Sequence, residues 1–171
     1  VDFEYSGDLI FIKVKLNNIP GEYRFIFDTG AAFNVISNKI AQKMGLKSLA
    51  ESTIKDATKN TGKVKFCMIP RLTIAGIPFI NTAAAIMDLN QSPWLRCYQI
   101  DGVAGMNLLR LVNNWQINYQ SRKITFSDQK VLVDPSVNRL VIPFNRNIQR
   151  IPKINLHIHD QLKIKCTVDF G

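Results

Sequence analysis

The chain has 171 residues, 46% of them hydrophobic, which suits one ordinary domain with room for an appendage. It contains no run of about 18 apolar residues, so the sequence predicts no membrane-spanning helix. Its 22 Lys and Arg residues against 13 Asp and Glu give a net charge of +9. These basic residues are scattered rather than clustered, so we interpret the charge as solvation and expect no nucleic-acid partner.

The first third of the chain predicts a hairpin followed by a short helix. The apolar alternation of "LIFIKVKL" at 9–16 is typical of a strand, "NNIPG" is a turn, and "EYRFIF" at 22–27 is the returning strand. This second strand runs directly into Asp28. A short helix then begins after Ser37 as its N-cap and stops at Gly45.

The middle of the chain predicts further strands. Residues 52–88 have the composition of several short strands, with a polar hairpin turn at 56–63 and a second turn at 75–79. Residues 91–99 predict a loop.

The following segments predict a helix and a second hairpin. "MNLLRLV" favours one or two helical turns, with three apolar residues on one side: Leu108, Leu111 and Val112. "NWQINYQSRKITF" reads as a hairpin with alternating aromatic and aliphatic residues on both arms. Residues 128–150 have the composition of a linker with one strand, "RLVIPF".

The end of the chain repeats its beginning. Residues 152–171, "PKINLHIHDQLKIKCTVDFG", again give strand, turn, strand, an apolar residue, Asp, any residue and Gly. In this alignment Asp169 corresponds to Asp28, and Gly171 corresponds to Gly30.

The repeat predicts a division into three parts. We expect an N-terminal lobe at 1–128, a linker at 129–150, and the first hairpin of a second, truncated lobe at 151–171. The sequence is therefore expected to be part of a longer two-lobe protein. Because it begins with Val, a removed signal or anchor segment, and with it an extracytoplasmic location, stays open.

The cysteines and histidines do not have the spacing of a metal site. Cys67, Cys97 and Cys166 are far apart and odd in number, which predicts neither a metal-ligand pair nor a complete disulfide framework. His157 and His159 share one face of a strand without an acidic or thiol partner nearby, and we interpret them as solvated. No metal or cofactor is expected.

Three segments together resemble the aspartic peptidases of the pepsin and retropepsin type, and more closely the bacterial retropepsin-like aspartyl proteases. They are the strand leading into "DTGA", the segment "IDGVAG" before the short helix, and the closing hairpin "WQINYQSRKITF". The resemblance covers nearly the whole chain. It implies an all-β fold, a closed β-barrel lobe of the acid-protease type with one or two short helices. It further implies that two lobes pair, within one chain or as a homodimer, each supplying one Asp.

By this resemblance Asp28 and Asp169 form the catalytic pair of a peptidase. Two carboxylates held close together share one proton, because both cannot ionise easily. The charged carboxylate acts as general base on a water, and the protonated one polarises the scissile carbonyl of a peptide or protein substrate.

The resemblance also implies supporting roles around the pair. Thr29 ties the loop of one lobe to the loop of the other, and Gly30 permits a tight turn. The remaining supports are Ala31 in the loop and the segment beneath it: Val103, Ala104 and Gly105. The flap that closes over an extended substrate is formed by Thr58, Lys59, Asn60, Thr61 and Gly62.

Several alternatives stay open at the level of sequence. Asp28 also fits an Asx-turn that closes a strand, and Asp101 precedes Gly as in an ordinary turn, so we assign Asp101 no catalytic role. Phe170 stands where the second Thr is expected, which favours a catalytically impaired module that binds peptides without cleaving them. Homodimerisation through the complete motif at Asp28 is a third possibility.

Overall fold

The computed structural model describes residues 1–55, 61–91, 93–129, 138, 140–158 and 162–170. The predicted flap residues Thr58, Lys59 and Asn60, and likewise His159 and Gly171, lie outside these ranges.

The described part of the chain is mostly β, as predicted. Its elements, in chain order, are β1 (Phe3–Ser6), β2 (Leu9–Leu16), β3 (Tyr23–Phe27), β4 (Asn34–Ser37), α1 (Asn38–Lys43), β5 (Ala50–Lys55), β6 (Thr61–Ile74), β7 (Ile77–Met87), α2 (Pro93–Tyr98), β8 (Gly102–Ala104), α3 (Met106–Leu109), β9 (Asn114–Asn118), β10 (Lys123–Ser127), β11 (Asn145–Arg146), β12 (Pro152–Ile158) and β13 (Leu162–Thr167). None of these helices exceeds six residues, so no helix of the described ranges could cross a membrane.

Eight strands form one sheet, in the order β1-β2-β3-β8-β4-β7-β6-β5. Strand β2 pairs in addition with β6, at the register Val14 to Ile74. The pairs β3–β8 and β4–β7 are parallel, and the others in this sheet are antiparallel. The hairpins β9–β10 and β12–β13 form separate sheets, and β11 adds to the second of them. An isolated bridge between Asp2 and Lys123 joins β10 to the start of β1.

The hairpin β2–β3 is confirmed, and its pattern explains where the core lies. Ile12, Val14 and Phe25 belong to the main apolar cluster, enclosed by the sheet. Phe11 and Ile26 point to the opposite side and belong to a second, smaller cluster. Strands buried on both faces read as continuous apolar runs, which accounts for the uninterrupted apolar start of β2.

The predicted helix after Asp28 is confirmed as α1. The side chain of Ser37 accepts a hydrogen bond from the backbone N–H of Ile40 at 3.3 Å, as an N-cap does. Ile40 and Ala41 are buried, and Gly45 follows the helix at a φ of +64°, a conformation that glycine adopts at little cost.

The region from 50 to 99 differs from the prediction in two respects. The strands β6 and β7 are long and continuous rather than several short ones, joined by the predicted turn at Ala75 and Gly76. The predicted loop at 91–99 contains helix α2. This helix forms because Leu95 and Tyr98 cover the second apolar cluster, where the ring of Tyr98 lies 5.2 Å from that of Phe11.

Two smaller predictions in the C-terminal half are wrong. Leu111 is 58% exposed, because α3 ends at Leu109 and does not carry residue 111 to the buried side. The described part of "RLVIPF", residues 140–144, forms no strand, and pairing begins only at Asn145. Pro143 lacks the N–H that a ladder requires.

The hairpin β12–β13 has one apolar and one polar face. The cross-strand pairs Leu156 to Ile164 and Ile158 to Leu162 form the apolar face, on which these four side chains are 37–51% exposed. Lysines occupy the other face together with His157, which is exposed. The inward face of the related hairpin β2–β3 is almost completely buried. The two hairpins therefore share the alternation of apolar and polar residues but differ in how far their apolar faces are buried.

Candidate active site

The loop that begins at Asp28 starts from the end of β3. The backbone N–H of Asp28 donates to the carbonyl of Ala104 at 3.0 Å, which continues the parallel pairing of β3 with β8. In that pairing Ile26 lies opposite Val103. The first residue of the loop is therefore held by the sheet.

The carboxylate of Asp28 is held by its own loop. Its Oδ1 atom accepts hydrogen bonds from the backbone N–H groups of Gly30 at 2.7 Å and Ala31 at 2.8 Å. This is the Asx-type turn that the sequence left open as an alternative. The turn does not exclude a chemical role, because the carboxyl group of Asp28 also has a hydrogen-bonding partner from the far end of the chain.

That partner is Asp169, whose side chain forms a hydrogen bond with the side chain of Asp28. The carboxyl group of Asp169 lies directly over Gly30. A Cβ atom added to Gly30 would lie 2.3 Å from Oδ2, 2.6 Å from Cγ and 2.8 Å from Oδ1 of Asp169. The second carboxyl group therefore occupies space that only a glycine at position 30 leaves open.

Burial and the neighbouring acid both raise the pKa of Asp28. Burial is the larger cause and the negative charge of Asp169 the next, and together they raise the pKa of Asp28 to about 6. The N–H groups of Ala31 and Gly30 stabilise the carboxylate and lower this pKa, but they do not outweigh the first two effects. Asp28 consequently retains a proton in weakly acidic solution.

Thr29 joins the two aspartate loops. It is fully buried, and its hydroxyl donates to the carbonyl of Val168 at 2.8 Å. The same oxygen accepts the backbone N–H of Phe170 at 3.2 Å. A single hydroxyl thus binds the residues on both sides of Asp169, and the second of these bonds requires only the backbone of Phe170.

The side chain of Phe170 makes an aromatic contact. Its ring meets the ring of Trp115 edge-on, with centroids 5.9 Å apart and an interplanar angle of 88°. Trp115 in turn contacts Phe27 at 5.5 Å and 78°. Phe27 directly precedes Asp28, so one tryptophan contacts the neighbours of both aspartates.

The segment Val103, Ala104 and Gly105 and the residue after it contact the loop. The N–H of Met106 donates to the carbonyl of Ala31 at 2.8 Å. A Cβ on Gly105 would come within 2.4 Å of the carbonyl oxygen of Phe33, so the two backbones approach too closely for another residue.

Two amide side chains, one buried and one half-buried, complete this support, and the sequence analysis did not identify them. Asn34 is fully buried, and its side chain accepts the N–H of Gly105 at 3.0 Å and donates to the carbonyl of Ala83 at 3.1 Å. Asn107 accepts the N–H of Asn34 at 2.7 Å and donates to the same carbonyl of Ala83 at 2.7 Å. Each of these Asn residues stands in an apolar run, a signal that a buried polar group requires a partner.

The remaining candidate residues lie further from the pair. Thr61 and Gly62 begin β6, opposite Lys55 and Ile54 of β5, so the predicted hairpin is present on either side of residues 56–60. Asp101 accepts the backbone N–H of Arg24 at 2.9 Å, a structural contact.

The possible metal ligands and the thiols of the described residues form neither a metal cluster nor a disulfide. Within the described ranges no group of three or more His, Cys, Asp or Glu side chains could hold a metal ion. Cys67, Cys97 and Cys166 carry free thiols.

A mostly β fold with an Asp-Thr-Gly turn beside a second aspartate is the arrangement found in aspartic peptidases. The chain belongs to the aspartyl protease family: residues 12–108, more than half of it, match the model of that family. The fold is similar to that of a retropepsin-like aspartic protease from Rickettsia conorii. The two share 20% sequence identity and a TM-score of 0.50 over 69% of this chain and 83% of the other. No curated protein matches the sequence.

Proposed function

We propose that this protein is an aspartic peptidase lobe that hydrolyses peptide bonds through a water activated by Asp28 and Asp169. The observation that carries the proposal is the contact of the two carboxyl groups over Gly30. Two ionised carboxylates repel each other, so two aspartates do not normally lie in contact. Sharing a proton turns this repulsion into a hydrogen bond.

The chemistry follows from the difference between the two environments. Asp28 is the more buried acid, its pKa is raised to about 6, and it carries the shared proton. Asp169, which is exposed, accepts a proton from the attacking water. The protonated Asp28 polarises the scissile carbonyl and gives its proton to the carbonyl oxygen as the water oxygen adds to the carbon. The C–N bond of this tetrahedral intermediate then breaks, with Asp169 giving the proton from water to the leaving nitrogen and Asp28 recovering a proton as the carboxyl product forms. Because the two acids act as one unit, the pair rather than either residue determines the pH profile.

The architecture of the active protein is part of the proposal. Residues 1–128 form the first lobe as a closed barrel, which the pairing of β2 with β6 supports. Residues 129–150 are a linker, and 151–171 begin a second lobe, supported by the likeness of β12–β13 to β2–β3. The segment 58–62 is the flap. The contact of Asp28 with Asp169 of the same chain favours this arrangement over a homodimer.

The proposal is tested by Asp28→Asn, with cleavage of a peptide library measured between about pH 4 and 7. Asn keeps the shape of the side chain but cannot share the proton, and we expect cleavage to fall at least about 100-fold. Asp128→Asn is the matched control, because Asp128 is exposed and distant in sequence from the pair. Wild-type cleavage by the Asp28→Asn variant would reject the assignment.

A second function is favoured by one observation, the presence of Phe170 in place of a hydroxyl-bearing residue. In this alternative the protein binds peptides without cleaving them. It predicts that the wild-type chain binds library peptides in a pull-down while their length remains unchanged over days. Turnover that a statine-type peptide inhibits would rule this alternative out.

A further inference from the structure

Phe170 departs from the pattern of the first motif, where Thr29 follows the aspartate. A second threonine would use its hydroxyl to reciprocate the bonds made by the first. Here the hydroxyl of Thr29 makes both bonds by itself, as donor to Val168 and as acceptor from Phe170. The position after Asp169 is therefore free to carry an apolar side chain.

Phe170 occupies this position, and its ring contacts Trp115. Trp115 stands in β9 and is half-buried against the main apolar cluster, which includes Phe27. Its ring meets Phe27 at 5.5 Å and Phe170 at 5.9 Å, both nearly perpendicular. Edge-to-face aromatic contacts of this kind fix both distance and orientation.

We infer that Trp115 and Phe170 are positioning residues that set the spacing of the two aspartates. Phe27 precedes one aspartate and Phe170 follows the other, so Trp115 links the two aspartate loops through ring contacts. The hydroxyl of Thr29 fixes the backbone of the second loop, and the ring of Phe170 fixes its orientation. Phe170 is thus the apolar counterpart of the missing hydroxyl.

The expected change in kcat rests on the proposed function, whereas the expected change in the position of Asp169 does not. If the ring holds Asp169 over Gly30, then removing the ring moves a negative charge away from Asp28. The pKa of Asp28 then falls from about 6 toward its ordinary value, and burial alone keeps it partly raised. This change is measurable by NMR titration of carbon-13-labelled aspartate carboxyl groups in the full chain, with no substrate present.

The variants are Phe170→Leu and Phe170→Ala, with Phe144→Ala as the matched control. Phe144 is 51% exposed and contacts Arg146, outside the aspartate loops. We expect kcat to fall roughly 10-fold for Leu and roughly 100-fold for Ala, with KM within about twofold, because the ring orients the acid without touching substrate. The alkaline limb of the kcat profile, where the shared proton is lost, shifts to lower pH in both variants.

A double-mutant cycle with Trp115→Leu adds a second criterion. Because the two rings act through one contact, the effect of Phe170→Leu largely disappears once Trp115 is replaced. Phe170→Leu retains most of the apolar area, so a folded variant is available even if Phe170→Ala unfolds.

The outcomes separate the two proposals. An unchanged Asp28 titration in Phe170→Leu overturns the inference whether or not the protein is a peptidase. A shifted titration in a protein without cleavage supports the inference and rejects the peptidase function. A shifted titration together with a lower kcat supports both.

Discussion

Substitution of Gly30 by Ala should separate catalysis from stability. The φ of Gly30 lies outside the left-handed region, so the backbone accepts alanine without strain. The new Cβ would lie 2.3 Å from Oδ2 of Asp169, whereas ordinary Cβ contacts begin at 3.4 Å. The carboxyl group must therefore retreat by about 1 Å, a displacement that can cost about 100-fold in rate, or about 2.7 kcal/mol in the barrier.

The assay compares kcat on a fluorogenic peptide with the midpoint of thermal unfolding. For Gly30→Ala we expect kcat to fall by about 100-fold while the unfolding midpoint changes little. Gly21→Ala is the control with the opposite profile. Its φ is +100° and nothing lies within 4 Å of an added Cβ, so it should lose about 1 kcal/mol of stability and keep its kcat. Normal turnover by a folded Gly30→Ala variant would refute the placement of Asp169 over Gly30.

Three further predictions concern the Asp28 loop and the residues that support it. The free energy of unfolding should decline as pH rises from about 4 to 7, because the folded state holds a proton on Asp28 up to a pKa of about 6 and the unfolded state releases it near 3.8. In urea titrations Asp28→Asn should remove this decline, which amounts to at most about 3 kcal/mol, and an equal slope in both proteins would contradict it. Thr29→Val removes both hydroxyl bonds at nearly constant volume and should lower kcat at least about tenfold, whereas Thr29→Ser should retain most activity; equal losses would argue against the hydroxyl. Asn34→Leu leaves the N–H of Gly105 and the carbonyl of Ala83 with fewer partners and should cost about 2–4 kcal/mol in urea unfolding, while Asn38→Leu at an exposed position should cost little.

The parts of the fold that could be predicted are those that local patterns determine. The hairpin β2–β3 follows from alternation and a turn, and α1 follows from its cap at Ser37 and its stop at Gly45. The internal repeat set Asp169 in correspondence with Asp28, whereas the pairing of the two acids was an implication of the resemblance rather than of the repeat.

The parts that could not be predicted depend on distant partners. Strand β4 is four residues long and exists because β7 and β8 pair with it from both sides. Helix α2 forms over an apolar cluster assembled from four regions of the chain. The contact of Phe170 with Trp115 joins residues that no spacing rule connects. From the sequence alone, Phe170 could only be recognised as a departure from the Thr of the first motif.

The contact between the two aspartate loops also bears on the order in which the candidate active site is assembled. All buried members of the main apolar cluster except Ile151 lie between Phe3 and Ile124, and Asp28 is anchored to Ala104 within that range. Asp169 arrives only when the last hairpin docks through Thr29 and Trp115. Most core residues therefore precede Asp169 in the chain and are synthesised before the second acid. A peptidase assembled in this order would stay silent during its own synthesis and folding, when its unfolded segments are most vulnerable to cleavage.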